Sequence, residues 1–184
     1  MAPGFGAGDA STALLRGYLA RLGYTVSGWG LGRNTGDVAV LLPQLVSLVE
    51  EMHREDGQPV RLVGWSLGGY LVREVARERP ALVRQVITLG SPVVGGPKYT
   101  TVGHAYRRQG IDVDRVERIV DARGAVPIRV PITAIYSKAD RIVAWQACID
   151  ERSPNVEHVE VRSTHLGLGI SAVVFEVVAQ ALAR

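Results

Sequence analysis

A serine flanked by glycines at the end of an apolar run constrains this chain more than any other feature. Pro59-Val60-Arg61-Leu62-Val63 leads into Gly64-Trp65-Ser66-Leu67-Gly68-Gly69, followed by Tyr70-Leu71-Val72-Arg73-Glu74-Val75-Ala76-Arg77. The pattern predicts a strand over 59–65, a sharp turn with Ser66 at its apex, and a helix over 67–79 ended by Pro80. Glycines at 64 and 68 remove the Cβ atoms that would collide where strand and helix come so close. The helix N-terminus beneath the serine points free backbone N–H groups at any negative charge that develops there.

Two later segments supply partners for a serine hydroxyl. Ile132-Thr133-Ala134-Ile135-Tyr136-Ser137 reads as a buried strand, with Lys138-Ala139-Asp140 in the loop after it. An alternating strand over 156–162 is followed by Ser163-Thr164-His165-Leu166-Gly167. Asp140 and His165 thus each lie just past a strand end, where reactive groups gather in parallel α/β sheets. Among the other histidines, His158 falls inside the alternating strand, His53 near a helix end and His104 in a loop. Asp150 is the fallback acid and Asp121 falls on an amphipathic stretch, so Asp140 is preferred for its place at a strand end.

The remaining pattern alternates helix and strand. Helices are expected over 11–22, 37–54, 112–123 and 170–183, and further strands over 24–29 and 85–90. Pro43 suggests an irregular first turn in the second of these helices. Such alternation implies an α/β class, with a mostly parallel sheet of about five to six strands and helices on both faces. The 184 residues suit one domain, 1–184, in which residues ~93–130 form a short cap or connecting segment.

The chain resembles a small α/β-hydrolase of the serine esterase/lipase type over nearly its whole length. The likeness rests on Pro3-Gly4-Phe5-Gly6, Gly28-Trp29-Gly30-Leu31-Gly32-Arg33-Asn34, the Ser66 turn, Leu89-Gly90-Ser91-Pro92, Ser137-Lys138-Ala139-Asp140 and Ser163-Thr164-His165. Ser66, Asp140 and His165 follow one another in the order that family uses. The resemblance implies hydrolysis of carboxylic esters, with Ser66 as nucleophile, His165 as general base and acid, and Asp140 fixing the imidazole tautomer. It also implies an oxyanion hole from the backbone N–H groups of Leu67 and Phe5. A thioesterase or acyltransferase would use the same triad, and a non-catalytic binding protein of the same fold is the alternative from another class. Because His165 must be neutral to act as base, activity is expected on the alkaline side.

Two departures from the family pattern stand out. Only Met1 and Ala2 precede Pro3-Gly4-Phe5-Gly6, where the family has a buried strand lying between the strands that are 24–29 and 60–65 here. The first strand therefore looks truncated, and a homo-oligomer or a rearranged sheet edge is expected to cover the gap. The cap segment is also short, which predicts a shallow, open site and a preference for short or medium acyl chains. Trp65, Val93, Val94, Ile142, Val143 and Leu166 are the candidates to line that site. Arg33 and Asn34 are expected to serve the turn after strand 24–29.

Composition narrows the partners. The net charge is only +3 and the arginines are scattered, so nucleic-acid binding is not expected. A single cysteine, Cys148, excludes an internal disulfide and a cysteine metal site, and no metal or cofactor is expected. No apolar run reaches the eighteen or so residues of a membrane span, so stable membrane insertion is not expected. The expected partner is a small-molecule ester or lipid substrate. The start shows no charged stretch followed by an apolar one, so a cytoplasmic location is expected.

Overall fold

The computed structural model describes residues 1–108, 110 and 112–184. Among them, four strands form one parallel sheet in sequence order: β1 (Val60–Trp65), β2 (Val83–Leu89), β3 (Ile132–Tyr136) and β4 (Val156–Glu160). Side chains alternate across the pleat, so each strand feeds two cores. Leu62, Val86 and Ile132 pack under α2 (Val38–Asp56) and α3 (Leu67–Glu78). Val63, Ile87 and Ile135 pack on the opposite face under α1 (Ala13–Arg21) and α6 (Ala172–Leu182). Helices therefore cover both faces, as the alternating pattern predicts.

Helix boundaries follow local chemistry. Asp37 caps α2 by accepting from the Val40 N–H at 3.3 Å, and Gly57 ends the helix in the left-handed region at φ +65°. Pro43 lies inside α2, which continues through it rather than starting irregularly. Asp112 accepts from the N–H groups of Asp114 and Arg115 at the start of α5 (Val113–Gly124), and these bonds hold its carboxyl below the usual range. The segment between β2 and β3 holds α4 (Gly103–Arg108) as well as α5, where only one helix is expected from sequence. Among the described residues, no helix is long and apolar enough to cross a membrane.

The sheet edge beside β1 corrects the expected strand count and the expected strand over 24–29. Ala2 makes an isolated parallel bridge to Gly64, donating to the Val63 carbonyl at 2.9 Å and accepting from the Trp65 N–H at 3.0 Å. Residues 24–30 form no strand. Their backbone partner there is the Met1 amino group, which donates to the Ser27 carbonyl at 2.8 Å. One such bond does not make a ladder. Asp9 supplies further support, accepting from the Trp29 and Gly30 N–H groups at 2.9 and 3.1 Å.

Candidate active site

Ser66 sits between β1 and α3 at φ +54°, ψ −122°, the one positive φ outside glycine among the described residues. A side chain in that region is strained, and it persists because the surroundings impose it. Gly64 lies against the Gly68 carbonyl, and Gly68 against the Ala2 carbonyl, so a Cβ at either position would strike backbone. The Ser66 N–H donates to the Leu89 carbonyl at 2.8 Å, fixing the turn to the end of β2.

Asp140 and His165 meet beyond the ends of β3 and β4. Asp140 Oδ2 and His165 Nδ1 are 2.6 Å apart, and both side chains are buried, at 2% and 7% exposure. Asp140 Oδ1 accepts from the N–H groups of Ile142 and Val143 at 2.8 and 2.9 Å, so the carboxylate is oriented from both sides. A carboxylate can only accept, so Nδ1 carries the proton and Nε2 is left free to take one. Gly90 follows the residue that anchors Ser66, and a Cβ there would lie 3.1 Å from Asp140 Oδ2 and 3.2 Å from His165 Nδ1. The three residues singled out from sequence are thus gathered at one end of the sheet.

Ser137 ties these loops together, a role that is not apparent from sequence. Its buried Oγ accepts from the N–H groups of Ala139 and Ser163, both at 3.1 Å, joining the Asp140 loop to the His165 loop. The other candidate groups lie elsewhere. His158 stands on β4, and its Nε2 accepts from the Asp150 N–H at 3.0 Å. Asp150 is ion-paired with buried Arg73. Burial alone would raise the Asp150 carboxyl, but the Arg73 charge and several hydrogen bonds outweigh it and bring it down to about 2. His53 and Asp121 are engaged with the Gln58 carbonyl and Arg152 respectively, and His104 is exposed on α4.

On the other side of Ser66, the loop after Ala2 brings Gly4 against the serine, with a Cβ there lying 3.3 Å from Ser66 Cβ. Neither the Phe5 nor the Leu67 N–H has a protein acceptor among the described residues. Segment 28–36 braces this loop. Asn34 is fully buried; its Nδ2 donates to the Pro3 carbonyl at 2.9 Å and its Oδ1 accepts from the Gly36 N–H at 3.1 Å. Its main chain pairs with Gly6 and Ala7, while Arg33 Nε donates to the Gly6 carbonyl at 2.8 Å. Asn34 and Arg33 therefore serve residues 3–7 rather than only their own turn. The Phe5 ring packs between Tyr106, at 4.8 Å between centroids, and Gly36, whose φ of +85° and missing Cβ leave room for it.

The expected shallow pocket is corrected. A cavity of about 740 Å³ lies over Ser66 and Leu67, between the start of α2 and the cap formed by residues 92–123. Phe5, Leu42, Tyr70, Tyr106, Val116 and Val120 are among its walls. None of Trp65, Val93, Val94, Ile142, Val143 and Leu166 lines it. Trp65 packs in the core under α6 with its ring 5.9 Å from that of His165. Val93 and Val94 donate their N–H groups to the Ala147 carbonyl, and Val143 and Ile142 pack in the small cluster around buried Cys148. Burial pushes the Cys148 thiol up to about 12, which keeps it protonated. Leu166 is 63% exposed to solvent.

Comparison with known proteins follows the same outline. The family described as lecithin:cholesterol acyltransferase matches residues 29–113, a span that holds the Ser66 turn but neither Asp140 nor His165. No curated protein matches the sequence. Among solved structures, the chain is similar to a metagenome-derived lipolytic enzyme (15% identity, TM-score 0.75, covering 99% of this chain and 91% of that one). It is similar to Est1E from Butyrivibrio proteoclasticus, solved with ferulic acid bound (15% identity, TM-score 0.75, 99% and 86%). A monoacylglycerol lipase from Paleococcus ferrophilus also superposes (15% identity, TM-score 0.66, 99% and 91%). Likeness across 99% of the chain, with the parallel sheet and its two helical layers, establishes that this protein has the α/β-hydrolase fold.

Proposed function

We propose that the protein is a serine hydrolase that cleaves carboxylic esters through an acyl-enzyme on Ser66. One observation carries the reading: a buried Asp140–His165 pair at 2.6 Å lies past the ends of β3 and β4, at the same end of the sheet as a serine held at positive φ after β1. The lipolytic enzymes of the same fold support it. Ser66 Oγ adds to the ester carbonyl carbon while His165 Nε2 takes the hydroxyl proton. Collapse of the tetrahedral adduct breaks the ester C–O bond, and that proton passes to the leaving alkoxide. Water then attacks the acyl-enzyme with His165 again as base, releasing the acid and restoring Ser66. Asp140 holds the imidazole and stabilises its charged form without taking the proton. The free N–H groups of Leu67 and Phe5 receive the oxyanion.

A fluorophosphonate probe tests the assignment. Labelling of the wild type at Ser66, lost in Ser66→Ala together with p-nitrophenyl butyrate hydrolysis, is the expected result. Folded wild type that takes no label overturns it. Acyl transfer to an alcohol is the second reading, favoured by the acyltransferase family match. An ester product that grows at the expense of free acid when alcohol is added distinguishes transfer from hydrolysis.

A further inference from the structure

We infer that the ester taken at Ser66 carries a large, uncharged, apolar group, and that the cavity under the cap receives it. The inference rests on the ester-cleaving reading of Ser66 and adds the substrate class. Size comes first. At roughly 30 Å³ per heavy atom, the share of a water molecule in the liquid, a ten-carbon chain fills less than half of the 740 Å³ available. The cap is short in sequence, but α5 lays Val116 and Val120 opposite Leu42 of α2, and the Phe5 and Tyr106 rings close one side.

Charge comes second. Arg123 reaches the cavity, but its guanidinium is bound by Glu74 and Glu78, and those partners keep it charged and occupied. Asp37 lies at the exposed rim and caps α2. Burial raises the phenols of Tyr70 and Tyr106 well above their usual range, so both stay neutral. The walls therefore offer a carboxylate no free counter-charge and an ammonium group only the Asp37 carboxylate at the rim, and they reward apolar area.

Each methylene removed from water is worth ~0.8 kcal/mol, which is about a fourfold gain in kcat/KM per carbon while the chain still fits. p-Nitrophenyl esters from acetate to decanoate, kept below their aggregation concentrations, place the apolar group on the acyl side. Alkyl acetates from ethyl to decyl place it on the alcohol side. A steep rise in either series is the expected result, and the steeper one identifies which side enters. Flat or falling profiles in both, with wild type still labelled by fluorophosphonate, overturn the inference and leave the serine assignment standing.

Val116→Trp and Ala39→Trp fill the cavity from opposite walls, and Ala39 is exposed enough to accept the change without unfolding. Each is expected to lower the decanoate-to-acetate rate ratio by on the order of thirtyfold. An unchanged ratio in both folded variants also overturns the inference. Decanoate binding to Ser66→Ala by calorimetry reads the cavity without chemistry: tighter binding than butyrate is expected, and equal binding counts against it.

Discussion

Asp140 and His165 leave the ends of β3 and β4, two strands paired along a five-residue register, and Ser137 ties their loops together. Phe5, on the opposite flank of Ser66, sits on a loop whose contact with the sheet is the bridge at Ala2, and side chains from 28–36 do the rest. One flank is positioned mostly by sheet hydrogen bonds, with the Ser137 hydroxyl joining its two loops. The other depends on particular side chains, above all Asn34. Strand-based support survives most substitutions, whereas support from one buried amide does not.

Substitutions on each flank test that contrast. Asp140→Asn keeps the shape but disturbs the imidazole tautomer, and is expected to lower kcat by about 10⁴, measured on a soluble ester with an unchanged circular-dichroism spectrum. Arg73→Ala leaves the Asp150 carboxylate buried without its partner on the strand flank. It is expected to cost about 3–5 kcal/mol of stability, read from urea denaturation. A loss below 1 kcal/mol would show that this flank does not need the pair.

Asn34→Ala removes the amide under Pro3 and Gly36, and is expected to lower kcat about ten- to hundredfold. Stability should fall by about 1–3 kcal/mol. The sharper readout is a pH–rate profile of unchanged shape, because the His165 side is untouched; a displaced profile would mean the flanks are coupled. Acid gives a further comparison. The Asp150 carboxyl titrates near 3.8 unpaired and at about 2 in the folded protein. Its contribution is full above the higher value and is lost as pH falls between the two, and amounts to about 2 kcal/mol. Wild type should therefore lose its advantage over Arg73→Ala below pH ~4, as thermal melts across that range would show.

The same contrast explains what the sequence discloses. The strands over 59–65, 85–90, 132–137 and 156–162 announce themselves as apolar or alternating runs, and the structure places β1 to β4 there. Ser66, Asp140 and His165 are legible because each follows such a run. Tyr24-Thr25-Val26 alternates as well, but a strand exists only with a partner: the Ala2 bridge goes to Gly64, and Met1 supplies a single hydrogen bond to Ser27. Asn34 reads as a turn residue because its acceptor is 31 positions away. The cavity is hidden for the same reason: its walls come from Phe5, α2 and the cap, and no local pattern brings Leu42 to Val116.

The positive φ at Ser66 sets the demand for an exposed hydroxyl against the fold's own preference. Glycine adopts that conformation without strain, so Ser66→Gly is expected to be more stable by about 1 kcal/mol, raising Tm by about 2–4 °C in calorimetric scans. Random mutagenesis selected for thermal resistance alone would then erode position 66 first, and only selection for turnover would hold the serine in place.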